Sequence, residues 1–194
     1  MVTLILACSL YPNNALPYAM IQTGSAGNPL TVRTLHAQKS FKQVSEAITY
    51  TQHALDRGEP VWVGVMQLSS RWFTQQQPKV GLAELFEPCK NVVIATSVLN
   101  QLTLRCQTEI KKTPQLNLTE CLLSQYETGH SAVGTAYAAR VVAYTESHSF
   151  TQLVKKARDP GMVAAVAYIK PEAIAPETRV ATAAQKNIRK SAVS

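Results

Sequence analysis

The chain has 194 residues, of which 46% are apolar and only 16% charged, and it carries a formal net charge of +7. That composition supports a sizeable core, in one compact domain with an appendage or in two very small domains, under a surface that relies on Gln, Asn, Ser and Thr. The positive balance sits mainly at the C-terminal end, where residues 151–194 hold 8 basic and 3 acidic side chains against 11 and 9 in residues 1–150; with no dense basic helix and no interleaved aromatics, specific nucleic-acid recognition is not expected, and an anionic membrane face or wall polymer is left as a partner.

The opening "MVTLILACSL" is too short to cross a membrane and lacks the basic start of a signal peptide. It reads as a mature-like start with the leader absent, although "ILAC" is loosely similar to a lipoprotein processing site. No other run approaches a membrane span. Asn14 is placed to cap a helix over "ALPYAMIQT", with Ala15, Tyr18, Ala19 and Gln22 three or four apart and Gly24 at its end. "SAGNPL" follows as a turn built on Gly27, Asn28 and Pro29, then "TVRTLHAQ" as a short irregular β element. Ser40 and Gln43 make a capping-box pattern for a second helix, with Phe41, Val44, Ile48, Thr51 and Leu55 on one face and "DRGEP" as its end.

"VWVGVMQLSS" reads as a buried strand, weakened by Gly64, or as the start of another helix. "GLAELFEPC" is a short helical turn. A long helix is expected from Cys89, with Val92, Val93, Thr96, Leu99, Thr103 and Cys106 along a stripe, interrupted at "KKTPQ". Asn117 and Glu120 form another capping pattern before "CLLSQY"; "ETGH" breaks the chain, and "SAVGTAYAARVVAYTESH" is an Ala-rich helix. Beyond about residue 158, three prolines, scattered basic residues and weak periodicity predict a flexible tail, with one short helix at "MVAAVAYI" at most. The expected organisation is a mainly helical domain over residues 1–150 with a small β element, then a basic tail over residues 151–194.

Cys8, Cys89, Cys106 and Cys121 have no CxxC spacing and form no metal pattern with His36, His53, His130 and His148, so neither metal nor cofactor is expected. An even number at wide spacing fits two disulfides and an oxidising compartment, with three connectivities open; buried free thiols are the alternative.

Five segments in order, "AMIQTGSAGNPLTV", "SEAITYTQHALDRG", "VGVMQLSSRWF", "LFEPCKNVVIATSVLNQ" and "CLLSQYETGH", resemble the VirB1-like lytic transglycosylases of type IV secretion and conjugation systems, over roughly residues 4–145. The cysteines near "LFEPC", near "CLLSQY" and near the start are similar to that family's. The resemblance implies a lysozyme-like (SLT-type) fold with a small β region and a long groove, a bacterial periplasmic location, peptidoglycan glycan strands as substrate and other secretion components as partners. It also implies cleavage between N-acetylmuramic acid and N-acetylglucosamine. One glutamate protonates the glycosidic oxygen and then acts as base while the muramic C6 hydroxyl attacks C1. A 1,6-anhydro end results and the wall opens locally.

Carried over residue by residue, the family's glutamate-serine, two variable positions and asparagine-proline fall on Gly24-Ser25-Ala26-Gly27-Asn28-Pro29. The catalytic glutamate's position is thus Gly24, and Ser25 is the orienting serine beside it. Gly64, Met66 and Gln67 match a glycine-leucine-methionine-glutamine stretch, with Met66 packing behind the groove and Gln67 facing the sugars. The position two before Gly64, often acidic in the family, is Trp62. Tyr126-Glu127-Thr128-Gly129 matches tyrosine-asparagine-threonine-glycine. There Tyr126 approaches the catalytic carboxyl, Thr128 joins the substrate-binding set, and Glu127 replaces the asparagine.

A glycosidic leaving oxygen needs a positioned acid, worth roughly 10² to 10⁴-fold, and glycine supplies none. Three explanations follow. The glycine is natural and the domain binds glycan or promotes assembly; or a glutamate was replaced in an active enzyme; or another acid has taken over, Glu127 first and Glu59 second. A different class of function is a structural adaptor of the secretion apparatus, its tail gripping a partner or the wall. Trp62, Trp72 and Phe73 are candidates to stack on sugar rings, at least one of them belonging to the core. His130 reads as structural or solvated, and Cys106 and Cys121 as disulfide partners or core rather than nucleophiles.

Overall fold

The computed structural model describes residues 2–76, 79–132 and 135–157. Its centre is α6 (Pro88–Glu109), with Pro88 in the first turn, where a missing N–H leaves no helical bond unmade. Asn91, Val92, Ala95, Thr96, Val98, Leu99, Leu102 and Cys106 form its buried face, while Val93 and Thr103, expected on the stripe, are only half-buried. α1 (Val2–Cys8) and α7 (Leu118–Thr128) pack along α6, and α8 (Ala136–Ser147) packs on α7 and on α2 (Ala15–Gly24). α9 (Phe150–Ala157) returns to α1.

α2 is wider in its burial than the expected stripe: Leu16 through Ile21 are all buried, because α8 and α1 cover both flanks. Each large apolar side chain so buried is worth about 1.5–3 kcal/mol. Asn14 makes no side-chain cap here; Asn13 Oδ1 accepts from the Ala15 N–H at 3.1 Å instead. The cap at Asn117 does form, Oδ1 accepting from the Glu120 N–H at 2.8 Å. The Ala-rich helix starts at Ala136, capped by Thr135, rather than at Ser131.

One four-stranded antiparallel sheet has the order β2-β1-β3-β4, with β1 Thr31–Arg33, β2 Gln38–Ser40, β3 Trp62–Val63 and β4 Leu68–Ser69. The predicted capping box at Ser40 is not formed, because the sheet takes that residue. Ser40 pairs with Thr31, their hydroxyls 2.9 Å apart, and α3 (Val44–Asp56) begins four residues later. Its buried face is Ala47, Thr51 and Ala54, with Ile48 and Leu55 half-buried and Val44 exposed; Phe41, outside the helix, packs on Tyr50 at 5.3 Å. "VWVGVMQLSS" is neither one strand nor a helix start. It is a hairpin whose turn spans residues 64–67 and which runs into α4 (Ser70–Phe73). α5 (Leu82–Leu85) leads into α6. The fold is thus mainly helical with a small antiparallel sheet, as expected.

Of the three possible connectivities the structure has Cys8–Cys89 and Cys106–Cys121, closing loops of 81 and 15 residues. In the chain-entropy model those loops are worth about 4.5 and about 3 kcal/mol. The first ties α1 to the start of α6; the second joins α6 to α7 over a satellite cluster with Leu116. Two disulfides suit an oxidising, extracytoplasmic compartment. Among the described residues no helix is long and apolar enough to cross a membrane. α9 crosses the expected boundary at residue 150; the expected helix at "MVAAVAYI" and the rest of the basic tail lie outside the described residues.

Candidate functional site

The turn at residues 64–67 is gripped from three helices. Gly64 has φ +77, and a Cβ on it would run into the Asn91 side chain and lie 2.5 Å from the Leu85 carbonyl, so only glycine fits. Asn91, fully buried on α6, spends its whole amide there. Its Oδ1 accepts from the Met66 N–H at 2.8 Å, and its Nδ2 donates to the carbonyls of Val63 at 3.1 Å and Leu85 at 2.9 Å. From the end of α2, Ser25 Oγ donates to the Val65 carbonyl at 2.7 Å and accepts from the Gly27 N–H at 3.1 Å. From α7, the Tyr126 hydroxyl donates to the Met66 carbonyl at 3.1 Å. Burial pushes the Tyr126 phenol well above its ordinary range, so it remains a donor at neutral pH.

Gln67 completes the turn with φ +50, a left-handed conformation that a non-glycine residue holds only where its surroundings enforce it. It is 2% exposed. Its Nε2 donates to the carbonyls of Thr31 at 3.1 Å and Gly64 at 2.9 Å, while Oε1 is buried without a hydrogen-bond partner among the described residues. Gln67 therefore belongs to the frame and does not stand open to a ligand.

Gly24 is the last residue of α2, half-buried, and its carbonyl accepts from Gln38 Nε2 at 3.0 Å. Its backbone is outside the left-handed region, so a side chain is permitted. A Cβ there would lie 3.0 Å from Gln67 Cγ and 3.5 Å from Gln67 Cβ. Position 24 thus faces the gripped turn, on the same short segment that Tyr126 reaches from α7.

A groove of about 880 Å³ runs past the sheet, lined among others by Arg33, Leu35, Glu59, Trp62, Arg71 and Glu127. Of the residues singled out from the sequence, Glu127, Thr128, Glu59 and Trp62 line it. Gly24, Ser25, Met66, Gln67 and Tyr126 do not; they meet at the turn, which continues into the groove wall through Trp62 and Ser69. The helical step explains the split on α7: Tyr126 points into the core at 1% exposure and the next residue points out.

The groove's carboxylates are already engaged. Both Glu127 oxygens lie 2.8 Å from Arg33 Nη2, the Arg33 guanidinium lies 4.0 Å from the Trp62 ring centre, and Trp62 Nε1 donates to the Glu127 carbonyl at 3.2 Å. Glu59 accepts from Arg57 Nε at 2.9 Å, and that hydrogen bond holds its carboxyl below the usual range. Phe73 is core, Trp72 Nε1 donates to the Tyr126 carbonyl at 2.8 Å, and His130 is exposed and held through its backbone carbonyl by Ser124 Oγ at 2.7 Å.

Arg33, Arg71 and Asn91 were not found from the sequence. Asn91 carried a signal: it is a polar residue in register with Ala95, Val98, Leu99 and Leu102 on a buried helical stripe. Arg33 and Arg71 carried none, since their partners are 94 and 58 residues away in the chain.

The family model described as Transglycosylase SLT domain matches residues 10–146. Neither curated proteins nor solved structures gave a match.

Proposed function

This chain belongs to the transglycosylase SLT family, whose domain is lysozyme-like and directed at peptidoglycan, and on that premise we propose that it is a peptidoglycan-binding component of a type IV secretion or conjugation system that holds glycan strands without cutting them. The active form of such a protein cleaves the N-acetylmuramic acid–N-acetylglucosamine bond in the periplasm and opens the wall locally. In this chain the residue facing the gripped turn is Gly24, which has no proton to give to a leaving oxygen. That observation carries the proposal.

Two further points support it. Glu59 and Glu127, the carboxylates that line the groove among the described residues, each accept from an arginine. Trp62 and Glu127, the two groove positions that depart from the family pattern, are joined to each other directly and through Arg33.

The test uses purified peptidoglycan, with co-sedimentation to read binding and release of anhydromuropeptides to read cleavage. The expected result is binding without product, and a gain of product in Gly24→Glu. Loss of binding altogether would overturn the proposal. Product from the unaltered chain that disappears in Glu127→Gln would instead make Glu127 the acid. An adaptor role rests on the +5 charge of residues 151–194. In that case deleting residues 158–194 would abolish capture of a secretion component and leave wall binding intact.

A further inference from the structure

The groove lining mixes two kinds of surface. Leu35, Leu55, Pro60 and Trp62 are apolar, and Leu35 stands 65% exposed. Ser69, Ser70, Thr74 and Thr128 bring hydroxyls, and Arg71 lines the groove with them. The charges of the lining are otherwise matched: Arg33 is paired with Glu127, and Glu59 with Arg57. Arg71 forms no ion pair, and its guanidinium donates no hydrogen bond, among the described residues. It is nonetheless positioned. Its Nε, Cδ and Cζ lie beside Gly129, where a Cβ would come within 2.5–2.8 Å of them, and Gly129 has φ +81. The glycine at the end of α7 therefore leaves room for this exposed guanidinium, whose donors face solvent at the groove.

Resting on the glycan-binding reading, we infer that Arg71 is a specificity residue that takes a carboxylate of the peptide stems carried by the glycan. A sugar backbone of neutral rings offers hydroxyls, amides and apolar faces, which the hydroxyl and apolar residues of the lining match. It offers nothing for an uncompensated guanidinium. The peptide attached beside the muramic ring carries free carboxylates, and a planar fork of N–H donors matches a carboxylate in two-point geometry. The groove thus reads the decoration of the strand as well as the strand.

The test measures binding of the whole chain to two polymers: glycan strands with their stem peptides, and the same strands with the stem carboxylates converted to amides. The expected result is roughly tenfold tighter binding to the strands with free stem carboxylates at low salt, with the preference fading as ionic strength rises. Arg71→Gln should bring the strands with free stem carboxylates down to the level of the amidated ones. Arg71→Lys should keep part of the preference. Arg105→Gln, which removes an exposed positive charge on α6 outside the groove lining, should change nothing. Equal binding of the two polymers by the unaltered chain overturns the inference. So does an Arg71→Gln chain that keeps the preference, or an equal loss in Arg105→Gln. Binding of neither polymer would instead bring down the glycan-binding reading on which the inference stands.

Discussion

Ser25 and Tyr126 hold adjacent carbonyls of one turn: Ser25 Oγ donates to Val65 at 2.7 Å and the Tyr126 hydroxyl donates to Met66 at 3.1 Å. Tyr126→Phe keeps the ring and removes one donor, leaving the Met66 carbonyl unsatisfied in the core. The expected cost is about 1–2 kcal/mol. Ser25→Ala should cost a similar amount. Because both residues restrain the same four-residue turn, the double variant should depart from the sum of the singles by at least about 0.5 kcal/mol. Urea unfolding of the four proteins measures this. Strict additivity would mean that the two restraints act on independent segments.

Asn91 should be the most costly polar residue to lose. Asn91→Ala leaves the Met66 N–H and the Val63 and Leu85 carbonyls without partners, all at a buried point. At about 1–3 kcal/mol per buried unsatisfied group, a loss of about 3 kcal/mol or more is expected. A loss below about 1 kcal/mol, measured by thermal or urea unfolding, would contradict the geometry.

The turn also marks what could and could not be read in advance. Two positions at it were legible because each needs a specific residue type. Gly64 has no room for a Cβ, and Ser25 needs a small hydroxyl. The long helix was legible from its period. The Ser40 capping pattern misled because a pairing with Thr31, nine residues back, outweighs a local preference that is worth about 1 kcal/mol. The hairpin at residues 61–70 was hidden because every residue from Val61 to Ser69 is buried, which erases the alternation by which a strand is recognised. The groove's wall was the least legible part. Arg33, Glu127 and Trp62 come from three separate elements, and no spacing links them.

Gly64, in the turn, and Gly24, facing it, should behave oppositely when replaced. At Gly24 a methyl is allowed by the backbone and meets only the Gln67 side chain, at 3.0 Å from Cγ. The gain of about 0.5–1 kcal/mol expected for alanine in a helix should offset the small shift required of Gln67, so Gly24→Ala should be close to neutral. Gly64→Ala meets the Asn91 amide and the Leu85 carbonyl from a left-handed backbone, and should lose about 3 kcal/mol or more. Melting curves of the two variants decide this. A severe loss in Gly24→Ala would show that the end of α2 has closed around the glycine and that a larger side chain there has no place to go.

The buried tyrosines predict how the protein fails in alkali. Burial raises the phenols of Tyr126 and Tyr137 beyond the usual tyrosine range, and burial beside Tyr18 pushes Tyr144 up to about 12. A raised folded-state value means that the neutral phenol is favoured in the fold. That stabilisation is fully present below the unfolded tyrosine value near pH 10 and is lost as pH rises through the folded values. For Tyr144 the loss ends at about pH 12; for the other two it continues beyond. Tyr126 and Tyr137, both buried, each contribute a slope of about 1.4 kcal/mol per pH unit in that window, and half-buried Tyr144 contributes less. Urea midpoints should therefore hold steady up to about pH 9.5 and then fall. Tyr137 is the cleanest probe, since its hydroxyl makes no hydrogen bond among the described residues and it is 7% exposed. Tyr137→Phe should fold normally at neutral pH and show a slope shallower by about one proton. An unchanged slope would mean that water reaches this hydroxyl, and that the face of α8 buried against its neighbours is not dry.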